Sequence, residues 1–425
     1  MNLDYDLINT YLWYAYLPPR AMPSWIDDCI KPENKGVNYS PEEAAGMLDQ
    51  IFDELIEKFG QRRHLLPLSG GWDSRTILGA LLQRLDSNNI ETVTYGAPGQ
   101  LDFDIGLKVA KWAGVKHYAL DLSTVEFTWD KIIKAVKRTP WSLVPDCYFN
   151  QLAMDIITDD DKLIWSGFLN DAITGGHLKT VPIDSVSYRN TFINGEQRAI
   201  SLALCDSNFD LGATIPEYQN NKLFLDDAFL FGLHCTNSTT PLNLPEMKWN
   251  QWSALIKNRN GNVLFLAPFI DERWAGYWFS APREVRKGQK LFIKMLKIKF
   301  PELFSLPGKK PIIDSEDARL YFLLRKLWRG SIKRLQKKAP WMGIKSIRQL
   351  NYLDYDEMFR TRNDYKDTLA IAFEYLKENR VTPWLDMDKL WHRHMKKRNN
   401  YGDSFVVLIG LAANLTQNEH CFWDQ

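Results

Sequence analysis

Hydrophobic positions change period several times in the first half of the chain. Leu65-Leu66-Pro67-Leu68 is an apolar run of strand length, Ser69-Gly70-Gly71 interrupts it, and Ile77-Leu78-Gly79-Ala80-Leu81-Leu82 follows in a helical pattern. The pattern predicts a strand at 65–68, a glycine turn and a helix at 75–86. A strand at 90–95 then ends in Gly96-Ala97-Pro98-Gly99, a helix at 102–114 stops at Gly114, and a short strand at 117–121 leads to a helix at 125–138. A further helix near 147–158 precedes the strand Lys162-Leu163-Ile164-Trp165. Upstream, Ser40 with Pro41 and Glu43 forms a capping box that opens an amphipathic helix over 41–60. Strand and helix alternating in this way predict an α/β fold, a doubly wound parallel sheet with helices on both faces.

The flanking text is different. Residues 1–40 are aromatic and proline-rich and read as an extension, a short helix and a loop, packing on the main body. Residues 180–260 read as loops with short helices over the sheet. Phe265-Leu266-Ala267-Pro268-Phe269-Ile270-Asp271 precedes a helix with Trp274, Tyr277 and Trp278, and a basic amphipathic helix from Lys287 to Phe300 stops at Pro301. Residues 315–425 read as wholly helical, with breaks at Pro340, Pro383 and Gly402. The expected division is an extension at 1–40, a main domain at 41–310 and a helical region at 311–425.

In a parallel sheet, ligands sit at the carboxyl ends of strands, and three glycine turns fall there. A strand, a Ser-Gly-Gly turn and a helix start suit a phosphate: glycine lets the backbone approach, and N–H groups at the helix start point at the anion. Ser69 and Ser74 add hydroxyls. Asp73 beside a phosphate calls for a divalent cation between them. No Gly-Lys-Ser/Thr follows, so this is not the Walker loop. The turn after the fourth strand, Ser166-Gly167-Phe168-Leu169-Asn170-Asp171-Ala172-Ile173-Thr174-Gly175-Gly176-His177, offers a second acid, Asp171, for the same cation.

Composition narrows the classes. A length of 425 residues suggests roughly two or three domains. A net charge of +1 gives no global field for nucleic acid. The five cysteines are scattered and form no Cys-x-x-Cys pair, which argues against a disulfide framework or zinc ribbon and suits a reducing cytoplasm. The acidic start lacks the features of a signal peptide, and no apolar run reaches the ~20 residues needed for a transmembrane segment. His392 and His394 do not have the spacing of a zinc pair on one helical face. Nine basic residues and no acid lie between Arg325 and Arg348, a solvated face or a docking surface for an anionic membrane or carrier.

The Ser69–Ser74 motif, the Asp102–His117 helix and strand, the Ser166–His177 loop and Pro268–Asp271 occur together and in order. In this the chain resembles the synthetase domain of the asparagine synthetase family, which includes β-lactam synthetases and lasso-peptide cyclases. The resemblance covers roughly residues 1–310 and, more loosely, the rest. It implies a sheet of the adenine-nucleotide α-hydrolase-like type and the cofactors ATP and Mg²⁺. ATP phosphates would lie on Ser69, Gly70, Gly71 and Ser74, with Asp73 and Asp171 holding Mg²⁺. Leu68, Thr94, Ser166 and Gly167 would border the nucleotide. The resemblance further implies that a carboxylate of a small molecule, peptide or sugar attacks the α-phosphate to give an acyl-adenylate and pyrophosphate. An amine then displaces AMP. Lys309 or Lys310 would steady the developing charge.

Departures from the family pattern shift these expectations. Position 2 is Asn rather than Cys and the synthetase-like text begins at residue 1, so no glutaminase domain is expected. The amine is then ammonia, ammonia from a separate protein, or an amine on a second substrate. Phe168 and Ala172 stand where the family has acids, and Trp72 and Arg75 where it has small residues. Arg75 would bind a substrate carboxylate or a phosphate, or lie on the helix surface. Phe168 and His177 are further substrate-side candidates. Two other readings compete: a nucleotide-binding regulatory protein that has lost the chemistry, and a transfer-RNA-modifying adenylating enzyme, against which the neutral charge and absent zinc motif weigh.

Overall fold

The computed structural model describes residues 3–15, 39–138, 140–141, 144, 148–149, 152–153, 162–176, 264–309, 327, 331 and 352–417. The five cysteines, most of the expected 147–158 helix, the loops at 180–260, Pro340, and all but two residues of the 325–348 basic stretch lie outside these.

Five parallel strands form one sheet in the order β3-β2-β1-β4-β5, with β1 Arg63–Pro67, β2 Ile90–Gly96, β3 Lys116–Asp121, β4 Lys162–Trp165 and β5 Leu264–Leu266. The doubly wound α/β architecture read from the sequence is therefore present. His64 lies opposite Ile90 on one side and Leu163 on the other. The chain winds outward from β1 through β2 to β3, then returns to lay β4 on the other side of β1. This makes the gap between the ends of β1 and β4 the topological switch point, where open sheets of this kind place their ligands. The strand at 264–266, not anticipated as one, contributes three residues and is set by pairing with β4, which local sequence cannot show.

Helix Pro41–Phe59 is opened by the expected box: Glu43 N donates to Ser40 Oγ at 3.1 Å, and Ser40 N to Glu43 Oε2 at 3.4 Å. The helix expected at 75–86 runs from Trp72 to Leu82, beginning directly after Gly71. The helix expected at 125–138 begins at Trp129. Before it, Phe127 N donates to Asp364 Oδ2 at 2.8 Å, and Phe127 O accepts from Thr368 Oγ1 at 2.8 Å. The basic helix is broken: Gly288 and Gln289 take φ of 66° and 59°, and the regular helix runs from Lys290 to Lys299. Pro301 does not merely stop it but starts the next helix, Pro301–Ser305, at the position where a missing N–H costs nothing.

Two cores hold the chain. The first packs Leu65, Leu66 and Leu163 of the sheet against Leu48, Phe52, Trp274, Trp278 and Phe292 from the helices. Phe52 stacks on Trp165 at 5.3 Å, and Trp165 Nε1 donates to His64 Nδ1 at 3.0 Å. The second core joins Ile8, Tyr11 and Leu12 of helix Tyr5–Tyr14 to Leu122, Phe127 and Val136 and to the C-terminal helices. Its centre is Gly402–Gln417, apolar nearly all round, as a helix enclosed by others must be. Gly402 opens that helix because a Cβ there would stand 2.5 Å from Asp356 N. Helices Tyr355–Thr361, Asn363–Glu378 and Met387–Met395 complete the region, with Pro383 in the break between the last two.

His394 is a core residue. Tyr401 N donates to its Nδ1 at 3.1 Å and its Nε2 faces Asp356 O at 3.2 Å. Burial holds both His394 and His117 down at about 4. Each is neutral when folded and takes up a proton on unfolding below about pH 6.5, so the unfolded state binds more protons there. The contribution of these two groups to stability is therefore expected to fall as pH drops from about 6.5 to about 4, by at most about 1.4 kcal/mol per pH unit for each, and the depressed carboxyls of Asp49, Glu54 and Asp364 carry the loss further at lower pH. Urea midpoints measured across this range check it, and His394→Gln should flatten the slope.

Candidate active site

The Ser69–Ser74 loop leaves the carboxyl end of β1 and turns straight into helix Trp72–Leu82. Ser69 N donates to Ser74 Oγ at 3.1 Å, Gly71 N to Ser69 Oγ at 3.1 Å, and Gly70 N to Asp102 Oδ1 at 2.8 Å. Ser and Asp oxygens thus stand on the loop's three N–H groups. Gly71 is the N-cap and contributes no side-chain oxygen to the helix start. In this it differs from Ser40, and it leaves the positive end of the helix to a ligand's charge.

The second loop meets the first closely. A Cβ on Gly167 would lie 2.8 Å from Asp73 Cβ, so only glycine fits. Asn170 Nδ2 donates to Asp73 Oδ1 at 2.7 Å, and Trp274 Nε1 donates to Asn170 Oδ1 at 3.0 Å. Asn170 is fully buried and fixes the Asp73 carboxylate against the aromatic core. Asp171 follows in the first turn of the short helix Asn170–Ile173, its Oδ1 1.5 Å from where a Cβ of Gly176 would project. Gly175 has φ of 92°, and its carbonyl accepts from Gly288 N at 3.1 Å, tying this loop to the kinked basic helix.

The remaining sequence candidates fall in several places. Leu68 is buried, and its carbonyl accepts from Thr94 Oγ1 at 2.6 Å. Thr94 thus supports the loop's base, and Gly106 is needed beside it because a Cβ there would stand 2.4 Å from Thr94 Oγ1. Ser166 N donates to Leu266 O at 2.8 Å, joining this turn to β5. Phe168 and Ala172 are half-buried against the first core. Lys309 N donates to Gly70 O at 3.1 Å, and its Nζ pairs with Asp102 Oδ2 at 2.5 Å. Lys310 and His177 lie outside the described residues. Arg75 is not a helix-surface residue: it is 1% exposed, and its guanidinium donates to Leu306 O at 3.2 Å and to Pro307 O.

Two contributors were not assigned from sequence. Asn170 lies inside the quoted motif but is neutral, and attention falls on the acid beside it. Asp102 reaches Gly70 across 32 positions, a contact only the fold creates. Asp271 of the Pro-Phe-Ile-Asp segment caps helix Glu272–Ser280 through Arg273 N at 2.9 Å. Arg273 also clasps Glu54, and these carboxylates raise its pKa further.

Hard carboxylate oxygens are the donors here. The described residues hold no cluster of three or more His, Cys, Asp or Glu able to cage a metal alone. Carboxylate oxygens are donors of the kind Mg²⁺ takes, one or two from the protein and the rest from phosphate and water.

A five-stranded parallel sheet with a Ser-Gly-Gly turn and a helix start at its switch point defines a doubly wound α/β domain. The sequence model of asparagine synthase matches residues 61–375, well over half the chain, and the chain belongs to that family. Family membership implies an ATP-dependent ligase or synthetase acting on small-molecule substrates with an amine donor. No curated protein matches the chain. No helix among the described residues is long and apolar enough to cross a membrane.

Asn170→Leu tests the buried bridge. It leaves the Trp274 indole N–H and the Asp73 oxygen without their partner, at about 1–3 kcal/mol for each stranded group. The expected results are a lower urea midpoint and a changed Trp fluorescence.

Proposed function

We propose that the chain is an ATP-dependent, AMP- and pyrophosphate-forming amidoligase. The observation that carries this is the meeting at one switch point of the Ser69–Ser74 loop, the Gly167–Asp171 loop and Lys309. The phosphates lie along the Ser69–Ser74 loop, against the hydroxyls of Ser69 and Ser74 and the N–H groups of Ser69 and Gly71 that those side chains cover, while Gly70 N stays on Asp102. Leu68 and Thr94 build the wall beside the nucleotide, and Ser166 and Gly167 close its other side. Asp73 and Asp171 would hold Mg²⁺, which would supply charge neutralisation to the pyrophosphate.

A substrate carboxylate oxygen bonds to the α-phosphorus, and the bond from that phosphorus to the bridging oxygen breaks, releasing pyrophosphate. Lys309 lies at the loop, on Gly70 O and Asp102, and its ammonium offsets the charge that builds on the α-phosphate. An amine nitrogen, from ammonia or a second substrate, then bonds to the acyl carbon. AMP departs with the bonding pair, and the amine proton passes to solvent. Phe168 and Ala172 offer no base for that proton.

Those same two residues favour a second reading, a nucleotide-binding protein of this fold without the chemistry. Labelled pyrophosphate exchange into ATP, screened over carboxylates, separates the two. Exchange is expected in the wild type, and Asp73→Asn should lower it about a hundredfold or more. ATP binding by calorimetry with no exchange for any acid supports the second reading.

A further inference from the structure

We infer that Arg75 is a positioning residue whose guanidinium straps the Leu306–Pro307 turn to the phosphate-loop helix and so holds Lys309 at Gly70. The inference rests on the amidoligase reading for its consequence but not for its geometry.

Residues 300–309 run back along one face of helix Trp72–Leu82 and make three contacts in order. Phe300 lies over Gly79, where a Cβ would stand 2.7 Å from the ring. Leu306 O and Pro307 O accept from Arg75. Lys309 N then reaches Gly70 O at 3.1 Å, and its stem passes 3.0 Å from where a Cβ of Gly70 would project. Gly79 and Arg75 are four residues apart and so share a helix face. The segment is seated at the glycine notch, fixed at the arginine and delivers its lysine to the loop.

Arg75 is an expensive way to fill this space. Burial pushes its guanidinium down to about 10, so it keeps its charge at neutral pH, and among the described residues no carboxylate pairs with it. An apolar side chain of similar volume would avoid that desolvation. What the arginine adds is a rigid fork that bonds two successive carbonyls. Those carbonyls belong to the residues just before Gly308 and Lys309. Beyond them, Asp102 accepts from Gly70 N and pairs with Lys309 Nζ, so strap and loop share one anchor.

The test compares Arg75→Met and Arg75→Lys with wild type in the full chain. Without ATP, the amides of Leu306, Gly308 and Lys309 should exchange hydrogen about tenfold faster or more in both variants. The β1 amides should hold. Wild-type exchange at 306–309 overturns the strap, whatever the activity. In pyrophosphate exchange, Arg75→Met should lower kcat about a hundredfold while leaving KM for ATP within about twofold. Combined with Lys309→Ala it should cost nothing further. Additive losses, or a raised KM for ATP in place of lowered kcat, overturn the inference by making Arg75 act independently of Lys309. A wild type without exchange activity, whose variants still loosen 306–309, rejects the amidoligase reading and leaves the strap standing. Should Arg75→Met fail to fold, Arg75→Lys keeps the charge and most of the volume and carries both readouts.

Discussion

The site depends on how closely two loop backbones approach at the gap between β1 and β4. Gly167 sits against Asp73 with no room for a methyl group. That approach puts Asn170 within reach of the Asp73 carboxylate and locks the acid to the indole of Trp274. Trp274 in turn packs edge-on to Trp278 at 5.5 Å and to Phe292 at 6.3 Å. Phe292 belongs to helix Lys290–Lys299, which leads directly to Phe300 and the segment carrying Lys309. One aromatic cluster therefore supports both the acid side and the lysine side of the loop. Rigid backing of this sort sets the geometry of a site that works by positioning and charge.

What was legible in the sequence was what local chemistry decides. The Ser40 box, the glycine turn after β1 and the phosphate-loop helix each have a signal within a few residues, and each stands near where its signal puts it. Features decided by distant pairing were not legible. β5 is three residues long and exists as a strand through β4. Gln289 adopts a positive φ with no local mark, while Pro301, which reads as a stop, serves as a start. Asn170 and Asp102 owe their roles to partners 97 and 32 positions away. Arg75 is the clearest case: on a helix wheel an arginine belongs outside, and only the return of residues 306–307 across that face turns it inward.

The substitutions that separate this chain from the family pattern also act together. Phe168 and Ala172 present apolar surface on the loop beside Asp73 and pack on the first core. On the proposed reading, an amine arriving there meets no carboxylate at position 168 or 172. The proton it sheds on attack then passes to water. On that reading the cation nearest the loop is the ammonium of Lys309, on the β1 side.

The helical part of the chain bears on the same sheet edge. Ala97 N, in the turn after β2, donates to Tyr352 O at 3.1 Å, and Tyr95 and Tyr352 meet edge to face. Arg362 bonds the carbonyls of Ser123 and Val125 and clasps Asp364, which accepts from Phe127 N. These contacts fix the turn after β2 and the chain leaving β3 from outside the sheet. The carboxyl end of β2 borders the phosphate loop through Thr94 and Leu68, so the later helices stiffen one wall of the site they follow in sequence. Loss of that buttress would free the Gly96–Gly99 turn without touching any residue of the phosphate loop.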